Sequence, residues 1–332
     1  MDLYKKIFYK KKILIYGLGK TGISGYQYLK RNNQIFLYDD NKSIFIQKNL
    51  EKFLLNKNKI TKTEFDFILI SPGINIYKCV LKNYLKKNRK KIITDLDIFY
   101  SHHSNNKIIT ITGTNGKSTT AKLLDLILKD HKKDSRICGN IGNPILAEKK
   151  ISKNTLFVIE ASSYQIDYSK LFKTNFAVIL NISPDHLERH GSIDSYVRAK
   201  FKLITNQSKK DFAYINSKNK YLKSIIKNKK IFSKIIKVNP KANTNFYKKI
   251  QNPYFFTEGN KENLSFIFAL SKKLNLKKKK IVKTINKFRG LKYRQQIIYN
   301  SSRIKIINDS KSTTFASTAN ILRSLKKVFW IV

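Results

Sequence analysis

The 332-residue sequence has few cysteines, few acidic residues and no long apolar run, and each shortage excludes a class of protein. Its two cysteines, Cys79 and Cys138, are too few for a disulfide framework. No run of about 18 apolar residues occurs, so the sequence predicts no membrane span. The basic amino terminus, residues 1–12, is followed by a short strand that Gly17 stops, unlike the apolar core of a secretory signal. We therefore expect a cytoplasmic protein.

Acidic residues number only 21 against 68 lysines and arginines, which gives a formal net charge of +47 at pH 7. A charge of this size is typical of nucleic-acid-binding proteins. The lysines are spread along the whole chain and form no single basic stripe, as expected when an AT-rich genome favours Lys, Asn and Ile codons. We therefore expect no nucleic-acid partner, and a charge that attracts anionic nucleotides.

A glycine turn that carries a lysine is the most informative motif. Residues 108–112 are a β-branched run, and a helix is predicted over 120–129. In such a loop, backbone N–H groups face a phosphate, the lysine reaches the β- and γ-phosphates, and the hydroxyl of Ser118 contacts Mg²⁺. The loop is shorter than G-x-x-x-x-G-K-[ST], because Ile111 lies five positions before Gly116. The alternative is an ordinary strand–helix turn. We predict a nucleoside triphosphate site formed by Gly113, Thr114, Asn115, Gly116, Lys117, Ser118 and Thr119.

Strands and helices alternate over the first hundred residues, which is typical of a parallel α/β sheet. A helix is predicted over 21–30, and strands over 13–16, 34–38, 65–71 and 91–94. G-L-G-K-T-G (17–22) joins the first strand to the helix, and Asp39 and Asp40 follow the second strand, as in a dinucleotide fingerprint. The motif requires a pyrophosphate, which NAD and UDP both supply, so an NAD-binding protein or nucleotide sensor remains an alternative.

Two further units follow. The second begins near Lys107, with later strands over 155–160, 176–181 and 211–216 and helices over 262–274 and 279–288. The third begins near Gln296, with strands over 304–307 and 328–332 and a helix over 317–326, while residues 217–254 stay unassigned. The predicted fold is α/β, with a Rossmann-like domain (1–97), a central P-loop ATPase-like parallel-sheet domain (98–295) and the truncated start of a third Rossmann-like domain (296–332).

Polar residues stand where predicted strands of the second unit end. Glu160 ends one strand and Asn181 the next, with His186 shortly after. Ligands of parallel sheets bind at these carboxyl ends, and a glutamate beside a phosphate loop suits Mg²⁺. Spacing alone gives His186 no role, because a lone histidine is more often structural.

An ordered set of motifs resembles the ATP-dependent Mur ligases of peptidoglycan synthesis. The set is T-G-T-N-G-K-S-T (112–119), E-A-S-S-Y-Q (160–165), N-I-S-P-D-H-L-E-R-H-G (181–191), Y-V-R-A-K (196–200) and N-D-S-K-S-T (308–313). The resemblance covers residues 10–332. G-L-G-K-T-G and N-D-S-K-S-T are most similar to the family member that adds D-glutamate to UDP-N-acetylmuramoyl-L-alanine.

The resemblance implies a monomeric ATP-dependent amide ligase. Its substrate carboxylate would attack the γ-phosphate of ATP, and the D-glutamate amine would then displace phosphate from the acyl phosphate. Two alternatives stay open: a sibling Mur or folylpolyglutamate-type ligase, and a nucleotide- or UDP-sugar-binding fragment without turnover.

The resemblance also implies residue roles. Lys117, His186 and Lys200 would be catalytic. Ser118 and Glu160 would hold a first Mg²⁺, and His186 and Lys200 a second, with Lys200 carbamylated and thereby converted from a cation into an anionic ligand. Further nucleotide contacts would come from Asn260, Asn263, Arg294 and Asp309. Substrate contacts would come from Gly17, Gly19, Thr21, Gly22, Asp39, Asp40, Ser71, Pro72, Gly73, Asn140, Ser162, Gln165, Lys311 and Thr313.

The sequence departs from the family pattern at three places. Gly259 and Tyr293 stand where family members often carry histidine, and the chain stops inside the predicted strand 328–332. Family members continue with a Gly-Gly turn and a lysine that help to hold D-glutamate. We therefore expect a truncated or split ligase, or an incomplete sequence, with incomplete D-glutamate capture and little turnover.

Overall fold

The computed structural model describes residues 3–41, 50–240, 242, 244–312, 315–325 and 327–331. The amino-terminal sheet is parallel, in the order β2-β1-β3-β4. Its strands are β1 (Lys12–Tyr16), β2 (Gln34–Tyr38), β3 (Phe67–Ile70) and β4 (Ile92–Ile93). Its helices are α1 (Lys20–Leu29), α2 (Lys57–Lys62), α3 (Lys82–Lys87) and α4 (Asp95–His103).

The central sheet is also parallel, in the order β10-β9-β8-β5-β7-β6. Its strands are β5 (Lys107–Thr112), β6 (Ser135–Gly139), β7 (Leu156–Glu160), β8 (Phe176–Ile179), β9 (Phe212–Asn216) and β10 (Lys234–Val238). Its helices are α5 (Lys117–Asp130), α6 (Ser163–Tyr168), α7 (Leu187–His190), α8 (Ile193–Thr205), α9 (Lys220–Lys227), α10 (Thr244–Tyr247), α11 (Glu258–Lys273) and α12 (Lys278–Lys287).

Five single turns of 3₁₀ helix complete the two sheet units. They are Leu3–Lys6, Glu51–Phe53, Arg89–Lys91, Ile145–Ala147 and Pro253–Phe255.

The third unit is small in the described part of the chain. It consists of the antiparallel strands β11 (Gln296–Asn300) and β12 (Lys305–Asn308) and the helix α13 (Phe315–Ser324). The predicted strand over 328–332 is wrong for its described residues, 328–331, which have no regular structure; residue 332 lies outside the described residues. Phe329 and Ile331 are almost fully exposed. In the described residues no neighbouring strand pairs with this segment, and an apolar run needs such a partner to become a strand.

Register brings the functional loops together at one edge of each sheet. Tyr16 pairs with both Tyr38 and Ile70, so β1, β2 and β3 end side by side. In the central sheet, Ile111 pairs with Glu160, while the next residue of β5 pairs with Ile179 of β8. Strands β1 and β5, each an inner strand of its sheet, are therefore flanked at their carboxyl ends by two other strands. Ligands of α/β sheets bind at such carboxyl ends.

The two parallel sheets share one apolar core. Ile13 and Leu69 of the first sheet belong to the same buried cluster as Phe157 and Ile179 of the second. The turn Ile145–Ala147 of the central unit packs on α1. This shared core fixes the glycine loop of the first sheet relative to that of the second.

Candidate active site

The glycine–lysine turn forms a compact loop between β5 and α5. Gly116 precedes α5 in a left-handed conformation with φ of 81°, and no side chain caps the helix. The helix therefore starts at Lys117, three residues earlier than predicted. Its first N–H groups have no side-chain partner at the cap, which is the arrangement that binds anions.

Helix α11 closes over this loop through Asn263. A β-carbon on Gly116 would lie 2.1 Å from Oδ1 of Asn263, so only glycine fits there. That oxygen is buried and has no hydrogen-bond partner among the described residues. Asn260 donates to the carbonyl of Tyr254 (2.7 Å) and to Oε1 of Gln295 (3.0 Å). Asn263 thus lies at the loop and retains an acceptor that no described group uses, and Asn260 lies behind it and accepts from its side-chain amide at 3.3 Å.

A second set of hydrogen bonds holds the loop against β8. The Thr114 N–H donates to the Asn181 carbonyl (3.0 Å), and the Asn115 N–H donates to Oδ1 of Asn181 (2.9 Å). Asn181 in turn donates to Glu262 (3.2 Å). The sequence analysis gave neither Asn181 nor Glu262 a role in the site. In the sequence, Asn181 is only a polar residue at the end of a predicted strand, and Glu262 is only an acidic residue on a predicted helix.

Two lysines from distant parts of the chain share one carbonyl. Nζ of Lys117 donates to the carbonyls of Gly113 (3.0 Å) and Thr114 (2.7 Å), and Nζ of Lys200 donates to the same Gly113 carbonyl at 2.9 Å. Lys200 is only 2% exposed, and its ammonium lies 4.5 Å from the ring centre of Tyr196. Burial lowers the pKa of Lys117, and burial together with the Lys117 charge lowers the pKa of Lys200 well below its usual value.

Two carboxylates oppose these cations. Glu160 is buried, and its Oε2 has no hydrogen-bond partner in the described structure. Asp185 and Glu160 both raise the pKa values of Lys117 and Lys200, which partly offsets the effect of burial. Asp185 was not predicted as a site residue, although it directly precedes His186 in the sequence. A buried carboxylate oxygen without a donor is suited to a cation.

His186 is exposed at the edge of this group of charged side chains. Its backbone is left-handed, with φ of 54°, and its ring nitrogens lie 3.6 Å from Asp185 and 3.8 Å from Glu188. Its ring centre lies 6.3 Å from that of Tyr196, the ring that also contacts Lys200. Ser118 is buried in the first turn of α5. Nowhere in the described ranges do three His, Cys, Asp or Glu side chains cluster as a metal site.

The first glycine loop is built around close backbone contacts. A β-carbon on Gly22 would lie 1.9 Å from the Gly17 carbonyl, whereas one on Gly19 would meet nothing within 4 Å. Ser71 donates to that Gly17 carbonyl at 2.6 Å. Helix α1 starts at Lys20 without a side-chain cap, so this helix end also lacks a side-chain partner. The predicted residues Gly17, Gly19, Thr21, Gly22 and Ser71 therefore lie together at this edge.

The two predicted aspartates have different partners. Oδ2 of Asp39 accepts from the Leu18 N–H at 2.6 Å, and its Oδ1 accepts from the Asn41 N–H at 2.9 Å. Asp40 accepts from the Tyr16 hydroxyl at 2.8 Å. Asp39 thus braces the glycine loop, while Asp40 lies over the end of β1.

Arg189 joins the amino-terminal unit to the central unit, and the sequence analysis did not identify it. Its guanidinium donates to the carbonyls of Pro72 (2.7 Å) and Ile74 (2.5 Å) and lies 3.5 Å from the ring centre of Tyr164. The predicted substrate loop 71–73 is therefore fastened to α7. The only sequence signal for this role was the position of Arg189 in a motif that also contains His186.

The three predicted residues near β7 differ in their contacts. The Asn140 N–H donates to the Glu160 carbonyl at 3.0 Å, and the Asn140 side chain is exposed. Ser162 caps α6. Gln165 is buried, accepts from Ser162, and donates to Asp95 at 3.0 Å. Both ends of the Gln165 amide are thus engaged by protein groups.

The third unit reaches the nucleotide end of the site. Asp309 accepts from the Gln295 N–H at 2.9 Å, and the charge of Arg294 contributes to the lowered pKa of Lys117. The Lys311 N–H donates to the Tyr293 carbonyl at 3.1 Å, and its side chain is exposed. Thr313 lies outside the described residues.

Comparison with known proteins identifies the family. The family model for the Mur ligase middle domain matches residues 111–286, more than half of the chain. The chain belongs to the Mur ligase family. This Mur ligase is an ATP-dependent ligase of peptidoglycan precursor synthesis, and Mur ligases use ATP and Mg²⁺.

Curated relatives of this Mur ligase match nearly its whole length. UDP-N-acetylmuramoylalanine–D-glutamate ligase of Rickettsia prowazekii (strain Madrid E) is 36% identical over 100% of this chain and 77% of the relative. The enzyme of the same name from Caldicellulosiruptor saccharolyticus is 29% identical over 98% of this chain and 77% of the relative.

Solved structures confirm the fold of this Mur ligase. UDP-N-acetylmuramate-alanine ligase MurC of Thermotoga maritima covers 95% of this chain and 77% of its own, with a TM-score of 0.55 at 17% identity. UDP-N-acetylmuramate:L-alanyl-gamma-D-glutamyl-meso-diaminopimelate ligase of Neisseria meningitides covers 85% of this chain and 99% of its own, with a TM-score of 0.58 at 14% identity. Among the described residues, no helix is long and apolar enough to cross a membrane.

Proposed function

We propose that this Mur ligase joins D-glutamate to UDP-N-acetylmuramoyl-L-alanine through an acyl phosphate. The observation that carries the proposal is the pairing of Lys117 and Lys200 on the Gly113 carbonyl, together with the buried carboxylate of Glu160, whose Oε2 has no partner among the described residues. This arrangement is suited to moving a phosphoryl group. The choice of D-glutamate rests on the curated relatives, which carry that name at up to 36% identity.

The first step transfers a phosphoryl group. A carboxylate oxygen of the L-alanine moiety attacks the γ-phosphorus of ATP, the bond from that phosphorus to its bridging oxygen breaks, and ADP leaves. Lys117 exchanges its contacts with two loop carbonyls for γ-phosphate oxygens and so offsets their developing charge. Electrostatic stabilisation of this kind supplies most of the catalysis in phosphoryl transfer.

The second step forms the amide. The amine of D-glutamate attacks the acyl carbon, the carbon–oxygen bond to phosphate breaks, and the nitrogen releases a proton. The shared core and the Arg189 contacts hold the substrate loop 71–73 at a fixed distance from the ATP loop. Such positioning lowers the entropic cost of bringing the two substrates together.

Ser118 with Glu160, and His186 with a carbamylated Lys200, are the residues proposed to hold two Mg²⁺ ions. Glu160 fits this role because its buried Oε2 lacks a donor. Lys200 fits it only after modification, since an ammonium repels a cation. Its lowered pKa leaves more of the amine neutral, and only a neutral amine reacts with CO₂ to give a carbamate. Bound Mg²⁺ would neutralise charge on the transferring phosphoryl group.

The ribose and adenine of ATP are assigned to the far end of the loop. Asn260 and Asn263 of α11 lie there, and Arg294, at the end of the central unit, lies with Asp309 of the third unit at the same end. UDP is assigned to the first glycine loop, where α1 begins without a side-chain cap. Asn140, Ser162, Gln165, Lys311 and Thr313 remain proposed substrate contacts.

Trapping the acyl phosphate tests the first step without relying on D-glutamate. With ATP, UDP-N-acetylmuramoyl-L-alanine and hydroxylamine, we expect a hydroxamate and one phosphate for each ADP. Nucleotide binding without hydroxamate would contradict the proposal and favour a nucleotide-binding protein without ligase activity. Hydroxamate from UDP-N-acetylmuramoyl-L-alanyl-D-glutamate, but not from the shorter substrate, would instead identify a sibling ligase.

Isotope labelling tests the carbamate. In ¹³C-labelled bicarbonate at pH 8, we expect one carbamate signal in the carbon NMR spectrum that is lost in Lys200→Ala. Lys209→Ala is the matched control, because Lys209 is exposed and lies nine positions further along the chain. A signal that survives in Lys200→Ala would assign the carbamate to another lysine.

A further inference from the structure

A cleft of about 400 Å³ adjoins the proposed ligase site, with which it shares Arg189, and lies on the outer side of α8. It is bounded by α6 and α8 of the central unit and by Tyr77 and Arg89 of the amino-terminal unit. Its volume is within the range of small-molecule sites in proteins, about 300–1,000 Å³.

The two long faces of α8 serve different sites. Tyr196 and Lys200 are four residues apart, are buried, and face the phosphate loop. Arg198 and Lys202, also four residues apart, line the cleft. At 100° per residue, these two pairs point in nearly opposite directions. The cleft is therefore separated from the ATP loop by the thickness of one helix.

Arginine is concentrated in this cleft far beyond its share of the sequence. Only nine of the 68 lysines and arginines are arginine, yet Arg89, Arg189 and Arg198 are among the 14 lining residues. A lysine-rich composition accounts for scattered lysines but does not account for three arginines at one place. Arginine presents a planar fork of donors that matches phosphate oxygens, which lysine does not.

The positive charge of the cleft is not balanced by carboxylates. Five cationic side chains line it, while Asp167 is the one carboxylate in its lining. None of the three arginines forms an ion pair in the part of the chain that the structure describes. Arg89 and Arg198 are exposed, so their guanidinium groups are accessible to a ligand.

We propose that this cleft binds a small anion that bears phosphate groups. A single carboxylate would leave most of the charge unbalanced, whereas a phosphate carries up to two charges and three oxygens for the guanidinium forks of Arg89 and Arg198. Arg189 adds charge only, because its fork is held by the Pro72 and Ile74 carbonyls. Because Arg89 belongs to the amino-terminal unit and Arg198 to the central unit, the anion would bridge the two. The proposal does not depend on the function proposed above.

Calorimetric titration with inorganic pyrophosphate tests the site. The protein is first saturated with ADP and UDP, which occupy the two loops proposed to hold phosphates. We expect pyrophosphate still to bind at one further site, and the double variant Arg89→Gln/Arg198→Gln to weaken this binding at least about tenfold. The single variant Arg89→Gln should give a smaller loss.

Arg31→Gln is the matched control for the single variant Arg89→Gln, because each removes one charge from an exposed arginine and Arg31 lies outside the cleft. Equal weakening by Arg31→Gln would overturn the proposal and point to the general charge of the chain. Unchanged binding in the double variant, with unchanged ADP affinity as the check on folding, would overturn it as well. Citrate that bound as tightly as pyrophosphate would exclude the phosphate assignment.

Discussion

The two glycine loops have the same position in their sheets but differ in charge. Each leaves the middle strand of a parallel sheet and leads into a helix without a side-chain cap. Each loop motif also contains a lysine, Lys20 in the first and Lys117 in the second. Lys20 is exposed, whereas Lys117 is half-buried and donates to two carbonyls of its own loop.

The surroundings of the loops explain this difference. In the first loop, Ser71 donates to the Gly17 carbonyl and Asp39 accepts from the Leu18 N–H. These bonds use groups of the loop itself and leave the first N–H groups of α1 for a phosphate. The second is bordered by two buried ionisable groups, Glu160 and Lys200, and burial and the Lys117 charge lower the pKa of Lys200 while the Glu160 charge partly offsets them. The first loop is thus suited to holding a phosphate, and the second to stabilising one that moves.

The largest effect that separates the two loops is expected from their lysines. Lys117→Ala should lower the rate of hydroxamate formation by about 100-fold or more, because it removes a preorganised charge at the transferring phosphoryl group. Lys20→Ala should change the same rate less than about threefold, because that side chain is exposed. Comparable losses in both variants would contradict the division of roles.

The next effect concerns the close backbone contacts of the first loop. Gly22→Ala should destabilise the protein by about 1–3 kcal/mol, because the added carbon would overlap the Gly17 carbonyl. Gly19→Ala is the control, since its added carbon meets nothing. The midpoint of thermal unfolding should fall by several degrees only in the first variant, and an equal fall in both would remove the steric explanation.

A smaller effect is expected where the two regions meet. Arg189→Lys keeps the charge but loses the fork that holds the Pro72 and Ile74 carbonyls. We expect KM for the UDP substrate to rise about fivefold to tenfold with kcat nearly unchanged, because the Pro72 and Ile74 carbonyls lose their donor and the substrate loop is held less firmly. Arg31→Lys should leave both constants unaltered. A fall in kcat at constant KM would instead indicate a role in the chemical step.

The smallest effect is electrostatic. Burial and, next, the charge of Lys200 lower the pKa of His190 to about 4 from its usual 6.5. Between these two pH values the folded protein binds fewer protons at His190 than the unfolded chain does, so its contribution to stability falls as the pH drops. In buffer freed of CO₂, where Lys200 is not carbamylated, Lys200→Met should raise the NMR titration midpoint of His190 but keep it below 6.5, since burial remains. Lys209→Met should not move it, and a midpoint unchanged by Lys200→Met would exclude that coupling.

Local sequence patterns predicted much of the fold. The strand at 34–38 has the predicted bounds, and the other strands of both parallel sheets that were assigned differ by few residues. Helix α9 and strand β10, within the unassigned stretch 217–254, were missed. The apolar residues of α9, at 221, 222, 225 and 226, do have helical spacing, and the surrounding lysines obscured it. Strand β10 lies at the edge of the sheet and buries only Val238, so its apolar signal is weak.

The residues missed in the site share one physical property. Asn181, Asp185 and Arg189 act through contacts with groups far away in the sequence, such as the Pro72 carbonyl 117 positions before Arg189. A periodic pattern reports only on neighbours within a few turns of the same element. Their roles therefore depended on how the two units pack.

The sequence by itself determined where the two glycine loops lie and that each joins a strand to a helix, because turn geometry and helix starts depend on adjacent residues. Only the tertiary structure decided the charge that each loop faces. Lys200 is one lysine among many until α8 brings it to the Gly113 carbonyl, 87 positions earlier, and buries it. Burial and neighbouring charges set its pKa, and both arise from long-range packing.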